Sequence, residues 1–484
     1  MGDNLLRKTL LNFFWRFFER VGAQLVAFVV SLIIARLLEP EAYGVIALVT
    51  VVTGILNVFV DSGLGTGLIQ KKDANDTDFS TVFYTNIIFC LFLYSFLFLC
   101  APLIARFYKN TDLTPVIRVL GLTIVISGTK NVLQSYVTKH LMFKKFFFAT
   151  LAGTLFAAGI GIFMALKGFG VWALVAQHIV NLFIDTVILW IIVPWKPRLE
   201  FSLSSLRSLY SFGWKLLVSK LIHTLYLDIR QLVIGKVYSP SDLAYYNQGN
   251  KFPRFISSNI NSSIDSVLFP VMSLEQNDVK RLKAMTRRSI MTSSYIMWPL
   301  LLGVAGTSKT LIPIILTKKW LPCVPYLIVV CFEFGFEPLQ TANLNAIKAL
   351  GRTDISLRLE IIKKSISTAI IFITMPFGVM AIAIGSAIYA VIATVCNSFP
   401  NKKLLGYSYF EQIKDILPAF FLAFAMFVLI YFIPLPNMAL ILRLFIQFII
   451  GSFFYLSLSA LFRVESFLYV KNLIKDNFPK FRKI

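Results

Sequence analysis

The stretches AQLVAFVVSLIIARLL (23–38), IIFCLFLYSFLFLCAPLI (87–104) and ILPAFFLAFAMFVLIYFI (416–433) hold a single charged side chain, Arg36, among them. A helix rises 1.5 Å per residue, so about 20 apolar residues suffice to cross the hydrocarbon of a bilayer. Breaks between such runs predict helices at roughly 16–38, 44–67, 81–105, 114–137, 145–166, 171–193, 209–235, 244–271, 289–315, 322–348, 356–376, 378–397, 415–433 and 438–461. That makes fourteen spans; the seventh, eighth and tenth are read as the least apolar, and twelve is the smaller count. Only 15% of the 484 residues are charged, against about 25% in a soluble domain. The chain reads as an all-α polytopic membrane protein, with its N-terminal residues a short amphipathic lead-in rather than a removable signal peptide.

The net charge of +23 invites a nucleic-acid partner, but its distribution answers differently. With the N-terminus inside, the inner loops collect Lys71 and Lys72, Lys144 and Lys145, Lys280 through Arg288, Lys402 and Lys403, and the basic tail. The outer turns hold only Arg106, Lys109, Lys167, Lys236, Lys309, Lys318 and Lys319. This is the positive-inside bias, with some attraction to anionic bilayer lipids. Both termini are expected in the cytoplasm, and nucleic acid is not expected as a partner. Cys90, Cys100, Cys323, Cys331 and Cys396 form no CxxC pair and stand near no histidine cluster, so no metal, redox site or cofactor is expected.

A proline turn recurs. LLEPEAYG (37–44) is echoed by VYSPSDLA (237–244), and Trp15 precedes Pro40 by nearly the same distance as Trp214 precedes Pro240. Leu68 and Leu268 close the two copies. Each copy is a helix, a turn whose proline cannot continue that helix, and a returning helix. The repeat predicts two like-oriented six-helix lobes around a central cavity: 1–193 and 209–400, a cytoplasmic linker at 194–208, and two added helices with a basic tail over 401–484.

Polar stripes mark the cavity. Asn247, Lys251, Arg254, Ser258, Asn261 and Asp265 recur at helical spacing in the eighth span, and Thr50, Thr53, Asn57 and Asp61 in the second. Ser219, His223, Tyr226 and Arg230 share a face of the seventh, with Lys215 at its edge, and Arg16 and Arg20 head the first. A charge at the bilayer centre costs roughly 2.5–3.5 kcal/mol on insertion scales, so these groups face water or one another. The bland alternative is pairing within a closed bundle, Lys251 with Glu337 for instance. Stripes on spans 1, 2, 7 and 8 together favour a shared hydrated cavity. By depth, Arg16, Arg20, Asp61, Lys215 and Asp265 lie toward the cytoplasm, Asn57, His223, Arg254 and Ser258 near the middle, and Arg230 and Lys251 toward the outside. Cations outnumber anions, which suits a pyrophosphate or an acidic sugar.

FVDSGLGTGLIQKKD (59–73), APLIARFY (101–108), GFGVWALVAQ (168–177), PRLEFSLSSL (197–206), VLFPVMS (267–273) and KKWLPCVPYL (318–327) resemble signature stretches of bacterial oligosaccharide flippases. These form the polysaccharide-transporter branch of the MATE-like flippase superfamily, the colanic-acid-exporter-like subgroup being most similar. The resemblance covers most of residues 10–400. It implies an inner-membrane protein, not an enzyme, that moves an undecaprenyl-pyrophosphate-linked oligosaccharide to the periplasmic leaflet. The implied mechanism is alternating access driven by a sodium or proton gradient or by the membrane potential, with polysaccharide polymerase machinery downstream. A peptidoglycan-precursor flippase and a multidrug antiporter share the fold. A membrane glycan polymerase would want a large outer loop, whereas the longest loop between the expected spans, about 272–288, is cytoplasmic and basic.

Overall fold

Proline decides where two of the helices begin. The computed structural model describes residues 22, 24–61, 63–436 and 438–477. In it Pro40 is the first residue of α2 (Pro40–Asp61) and Pro240 the first of α9 (Pro240–Leu274). Each follows a two-residue break after α1 (Gln24–Leu37) or α8 (Leu203–Val237). At the first helical position a missing N–H costs nothing, because that donor has no intrahelical acceptor. Ser239 and Asp242 complete the second turn as a reciprocal cap, the Asp242 N–H donating to Ser239 Oγ at 3.1 Å and the Ser239 N–H to Asp242 Oδ2 at 3.2 Å.

Between these come α3 (Leu64–Gln70), α4 (Asp76–Phe107), α5 (Leu113–Lys139), α6 (Phe143–Leu166) and α7 (Val171–Ile192). After α9 come α10 (Val279–Leu316), α11 (Val324–Gly335), α12 (Glu337–Ala349), α13 (Thr353–Thr374), α14 (Val379–Leu404), α15 (Tyr409–Phe432), α16 (Leu440–Leu461) and α17 (Glu465–Asn477). Ten of the described helical stretches are long and apolar enough to cross a membrane, Lys318–Ala349 counting as one. The described part of α1 is too short for that measure, and α8, α9 and α13 are too polar. The tenth expected span thus passes, and the eleventh, with Arg358, Glu360, Lys363 and Lys364, takes its place among the polar ones.

Two expected spans are broken. The second begins at Pro40 and stops at Asp61; Gly63 adopts φ 72°, a left-handed conformation that a side chain resists, and α3 continues to Gln70. The tenth divides at Phe336, where Pro338 near the start of α12 removes a helical donor.

The chain forms two compact units, Met1–Ala244 and Tyr245–Ile484. In the first, α8 lies antiparallel to α2 at distances only glycine allows. A Cβ on Gly44 would stand 1.8 Å from the Pro240 carbonyl oxygen, one on Gly235 2.1 Å from Leu48 Cδ2, and one on Gly63 2.2 Å from the Gly213 carbonyl oxygen. Within lipid, where apolar burial drives no association, such close backbone approach is the main source of helix–helix attraction. At the α3 end, Leu64, Leu68, Phe79, Phe83, Leu189 and Trp195 make a fully packed core. Lys71 there pairs with Asp78 at 2.7 Å while Asn75 caps α4, so the QKKD stretch is a structural clasp.

The second unit is built on α10. Trp298, wholly buried, meets Phe420 edge-on with ring centroids 4.7 Å apart and packs against Phe336 and the bare Gly335. A buried amide cluster ties α12, α14 and α15. Asn343 Nδ2 donates to Gln412 Oε1 (2.7 Å), and Asn343 Oδ1 accepts from Gln412 Nε2 (3.0 Å) and Asn401 Nδ2 (2.6 Å).

The contact of Gly44 with Pro240, at the head of α9, makes a direct prediction. Gly44→Val forces backbone apart and is expected to cost about 1–3 kcal/mol, the scale of core overpacking. Gly159→Ala, with nothing within 4 Å of the added carbon, is the neutral control. Melting of the two purified variants in detergent should separate them; equal midpoints would refute the close approach.

Candidate functional site

Two adjoining pockets open among α2, α3, α5, α7 and α8 of the first unit. One, of about 300 Å³, is lined by Gly54, Asn57, Val58, Ser127, Lys130, Asn131, Gln134, Leu182, Lys220 and Thr224. The other, about 200 Å³, shares Val58, Asn131, Gln134 and Lys220 and adds Thr66, Ser135, Thr138 and Leu217. The lining follows from helical geometry. On α5, Ser127, Lys130, Asn131, Gln134, Ser135 and Thr138 recur three and four residues apart and so share a single face. On α8, Leu216, Leu217, Lys220 and Thr224 do the same.

The lining is rich in amides and hydroxyls and carries two lysines, one of them paired. Lys130 Nζ donates to Asp185 Oδ2 of α7 at 2.5 Å, with the carboxylate side chain 5% exposed and the lysine 13%. Asp185 is boxed in by Gly153 of α6, whose absent side chain leaves room for the Asp185 backbone and Cβ. Asp185 Oδ1 and Asn57 Oδ1 are buried without a hydrogen-bond partner among the described residues. With the amides and hydroxyls of the lining, these acceptors suit a polar, hydroxyl-bearing guest.

In the second unit a polar ladder joins α9 to α12. Glu337 Oε2 accepts from Ser257 Oγ and, at 2.6 Å, from Asn261 Nδ2. Two turns on, Asp265 Oδ1 accepts from Asn345 Nδ2 at 2.8 Å. Both rungs advance together, so the helices run in the same direction.

The sequence-derived residues divide accordingly. Arg16 and Arg20 lie outside the described residues, and Asp61 ends α2 with a side chain also outside them. Asn57 lines the larger pocket. Lys215 and His223 are exposed on α8 and do not line either pocket, while Arg230 is half-buried. On α9, Arg254, Ser258 and Asp265 are exposed and Lys251 and Asn261 half-buried. Asn261 and Ser257 hold Glu337, the acid that the closed-bundle alternative paired with Lys251.

Sequence reasoning passed over Lys130, Asn131, Gln134, Asp185 and Lys220. The signal was present: GTKNVLQSYVTK carries a polar face at helical spacing. On α8 the pocket-lining stripe is turned by one residue from the Ser219–His223 stripe. Among the described residues no group of three or more His, Cys, Asp and Glu could hold a metal ion.

Comparison with known proteins extends the picture. Residues 33–325 match the family described as "Polysaccharide biosynthesis protein". The chain is 23% identical over 436 residues to the lipopolysaccharide biosynthesis protein WzxC of Escherichia coli (strain K12), covering 88% of both chains. It is 23% identical over 341 residues to the succinoglycan biosynthesis transport protein ExoT of Rhizobium meliloti (strain 1021), covering 70% of this chain and 69% of that one. Two solved structures share its fold. The lipid II flippase MurJ in an inward closed conformation superposes with a TM-score of 0.74 at 16% identity, over 94% of this chain and 98% of that one. An inward-facing multidrug resistance MATE family transporter of the MOP superfamily gives 0.60 at 15% identity, over 79% and 94%. The MATE-like, all-helical membrane architecture expected from the sequence is therefore the one observed.

Removing one member of the buried pair should be worse than removing both. Lys130→Met is expected to destabilise by about 3–5 kcal/mol, because a buried carboxylate loses its counter-charge. Lys130→Met combined with Asp185→Leu should recover most of the loss. Thermal unfolding of the three proteins decides this, and a double variant no better than Lys130→Met would count against the pair.

Proposed function

Because the chain belongs to the polysaccharide biosynthesis protein family, we propose that it is a flippase carrying undecaprenyl-pyrophosphate-linked oligosaccharide repeat units from the cytoplasmic to the periplasmic leaflet. The observation that carries this reading is the pair of pockets lined by Lys130, Lys220, Asn57, Asn131 and Gln134 among α2, α3, α5, α7 and α8. A pyrophosphate wants cations and directed donors, and a glycan wants amides and hydroxyls. The prenyl tail needs neither and stays in lipid. Relatives named for lipopolysaccharide biosynthesis and succinoglycan transport support an exported polysaccharide as the destination. No bond is made or broken, and the protein acts as a transporter.

In this reading the chain sits in the bacterial inner membrane with fourteen spans and both termini in the cytoplasm. Residues 1–193 and 209–400 are its two lobes, 194–208 the linker, and 401–484 the added helices and tail. The exposed cations Lys215 and Arg254, with His223, Arg230, Lys251, Ser258, Asn261 and Asp265, act in this reading on the charged and hydroxyl groups of the cargo. Alternating access moves the cargo, coupled to sodium, protons or the membrane potential, and hands it to the polymerase machinery. The likeness to the lipid II flippase favours a second reading, a peptidoglycan-precursor flippase.

Deleting the gene decides between them. An exopolysaccharide repeat unit on its lipid carrier should accumulate in the cytoplasmic leaflet; accumulation of a peptidoglycan precursor would favour the second reading, and accumulation of neither would refute both. Reversing charge with Lys220→Glu or Arg254→Glu should abolish surface polysaccharide while leaving the protein inserted. Normal surface polymer in both variants would remove the pockets and the α9 face from the transport path.

A further inference from the structure

A cavity of about 480 Å³ opens beside the first turns of α10 and is walled by α17. Lys280, Lys283, Arg287 and Arg288 line it against one carboxylate, Glu465. Their spacing along α10 puts them on one face, with Ala284, Met291 and Thr292 continuing it.

These cations play different parts. Arg287 is spent on structure: Nε and Nη2 each donate to Asp415 at 2.9 Å, and Nη1 and Nη2 donate to Glu465 at 3.0 and 2.8 Å. Tyr407 Oη donates to the same Asp415 at 2.7 Å. This network pins α10 to α15 and α17 and fixes the walls of the cavity. Lys283 donates to the Gly406 carbonyl and stands 3.7 Å from Glu411. Lys280 and Arg288 are exposed, and among the described residues neither pairs with a carboxylate; the Arg288 guanidinium lies over the Tyr469 ring, 4.8 Å from its centroid. The cavity thus keeps two uncommitted cations beside an aromatic wall.

The next turns of α10 identify the guest. Arg288 and Thr292 begin a ridge of steps of four that continues through Ile296 and Leu300. Those last two are 42% and 46% exposed in a helix long and apolar enough to span the bilayer. Met291 and Leu468 floor the cavity between the charged and apolar halves. Cations at one end of a continuous ridge and exposed aliphatic side chains at the other match a molecule with an anionic head and an acyl tail. We propose that this cavity binds the phosphate headgroup of an anionic bilayer lipid, its acyl chain lying along Ile296 and Leu300. The site is separate from the transport pockets and does not rest on the flippase reading.

The full-length protein in neutral detergent is titrated with phosphatidylglycerol, phosphatidylcholine and inorganic phosphate, with bound molecules counted by native mass spectrometry and melting followed in parallel. Phosphatidylglycerol is expected to be retained and to raise the melting midpoint, while the other two do neither. Lys280→Ala with Arg288→Ala should weaken phosphatidylglycerol binding roughly tenfold, about 1.4 kcal/mol. Ile296→Gln with Leu300→Gln should also weaken it, and unchanged gel-filtration profiles establish that both doubles fold. Equal phosphatidylglycerol binding by wild type and both double variants overturns the proposal, as does retention of phosphatidylcholine to the same extent. Inorganic phosphate binding as tightly as the lipid, with the same dependence on Lys280 and Arg288, overturns the assignment to lipid and leaves a free-anion site. The titration contains no oligosaccharide, so its failure and the failure of the flippase reading are separately visible.

Discussion

The antiparallel contact of α2 with α8 sets the geometry of the first unit. It is flanked at both ends by glycine contacts: Gly44 against the Pro240 carbonyl of α9 and Gly235 against Leu48 at one, Gly63 against Gly213 and Gly67 of α3 against Leu209 at the other. Between these glycine contacts, residues 54–58 of α2 and 216–224 of α8 are where the pockets open. The two helices are pressed together above and below a gap into which the polar face of α5 looks. In hydrocarbon no solvent force would close such a gap or hold its walls, so backbone proximity at the flanks does both.

Hydrogen bonding supplies the second constraint. Several polar groups of the helices have partners on neighbouring helices: Lys130 on Asp185, Ser257 and Asn261 on Glu337, Asn345 on Asp265. Each pairing joins elements distant in sequence, so the polar side chains that make the site also specify the arrangement of the spans. The cost of an unpaired charge in lipid makes such pairings selective as well as stabilising.

Much of this was legible in the chain itself. Apolar runs located the helices, and proline at 40 and 240 placed two helix starts within a few residues. The α9 stripe marked Asn261 and Asp265, which do carry the ladder to α12. What escaped notice has physical reasons. The break at Gly63 depends on a backbone angle that hydropathy does not encode. Lys130 and Asp185 are 55 residues apart and meet only because α5 and α7 pack together. On α8, polar residues surround the helix more fully than on α5, so periodicity alone offered two adjacent stripes, and the Lys220–Thr224 one lines the pockets.

The amide cluster of Asn343, Asn401 and Gln412 bears on how such a chain could have grown. If α15 and α16 were acquired late, by fusion to a twelve-helix ancestor, the ancestral α12 and α14 had no Gln412 to meet. Asn343 and Asn401 need no third amide to be satisfied, because Asn401 Nδ2 donates to Asn343 Oδ1 and Asn343 Nδ2 to the Leu339 carbonyl. Shortening the chain today would thus take one member from the ring and leave the Asn343–Asn401 bond joining the helices that remain.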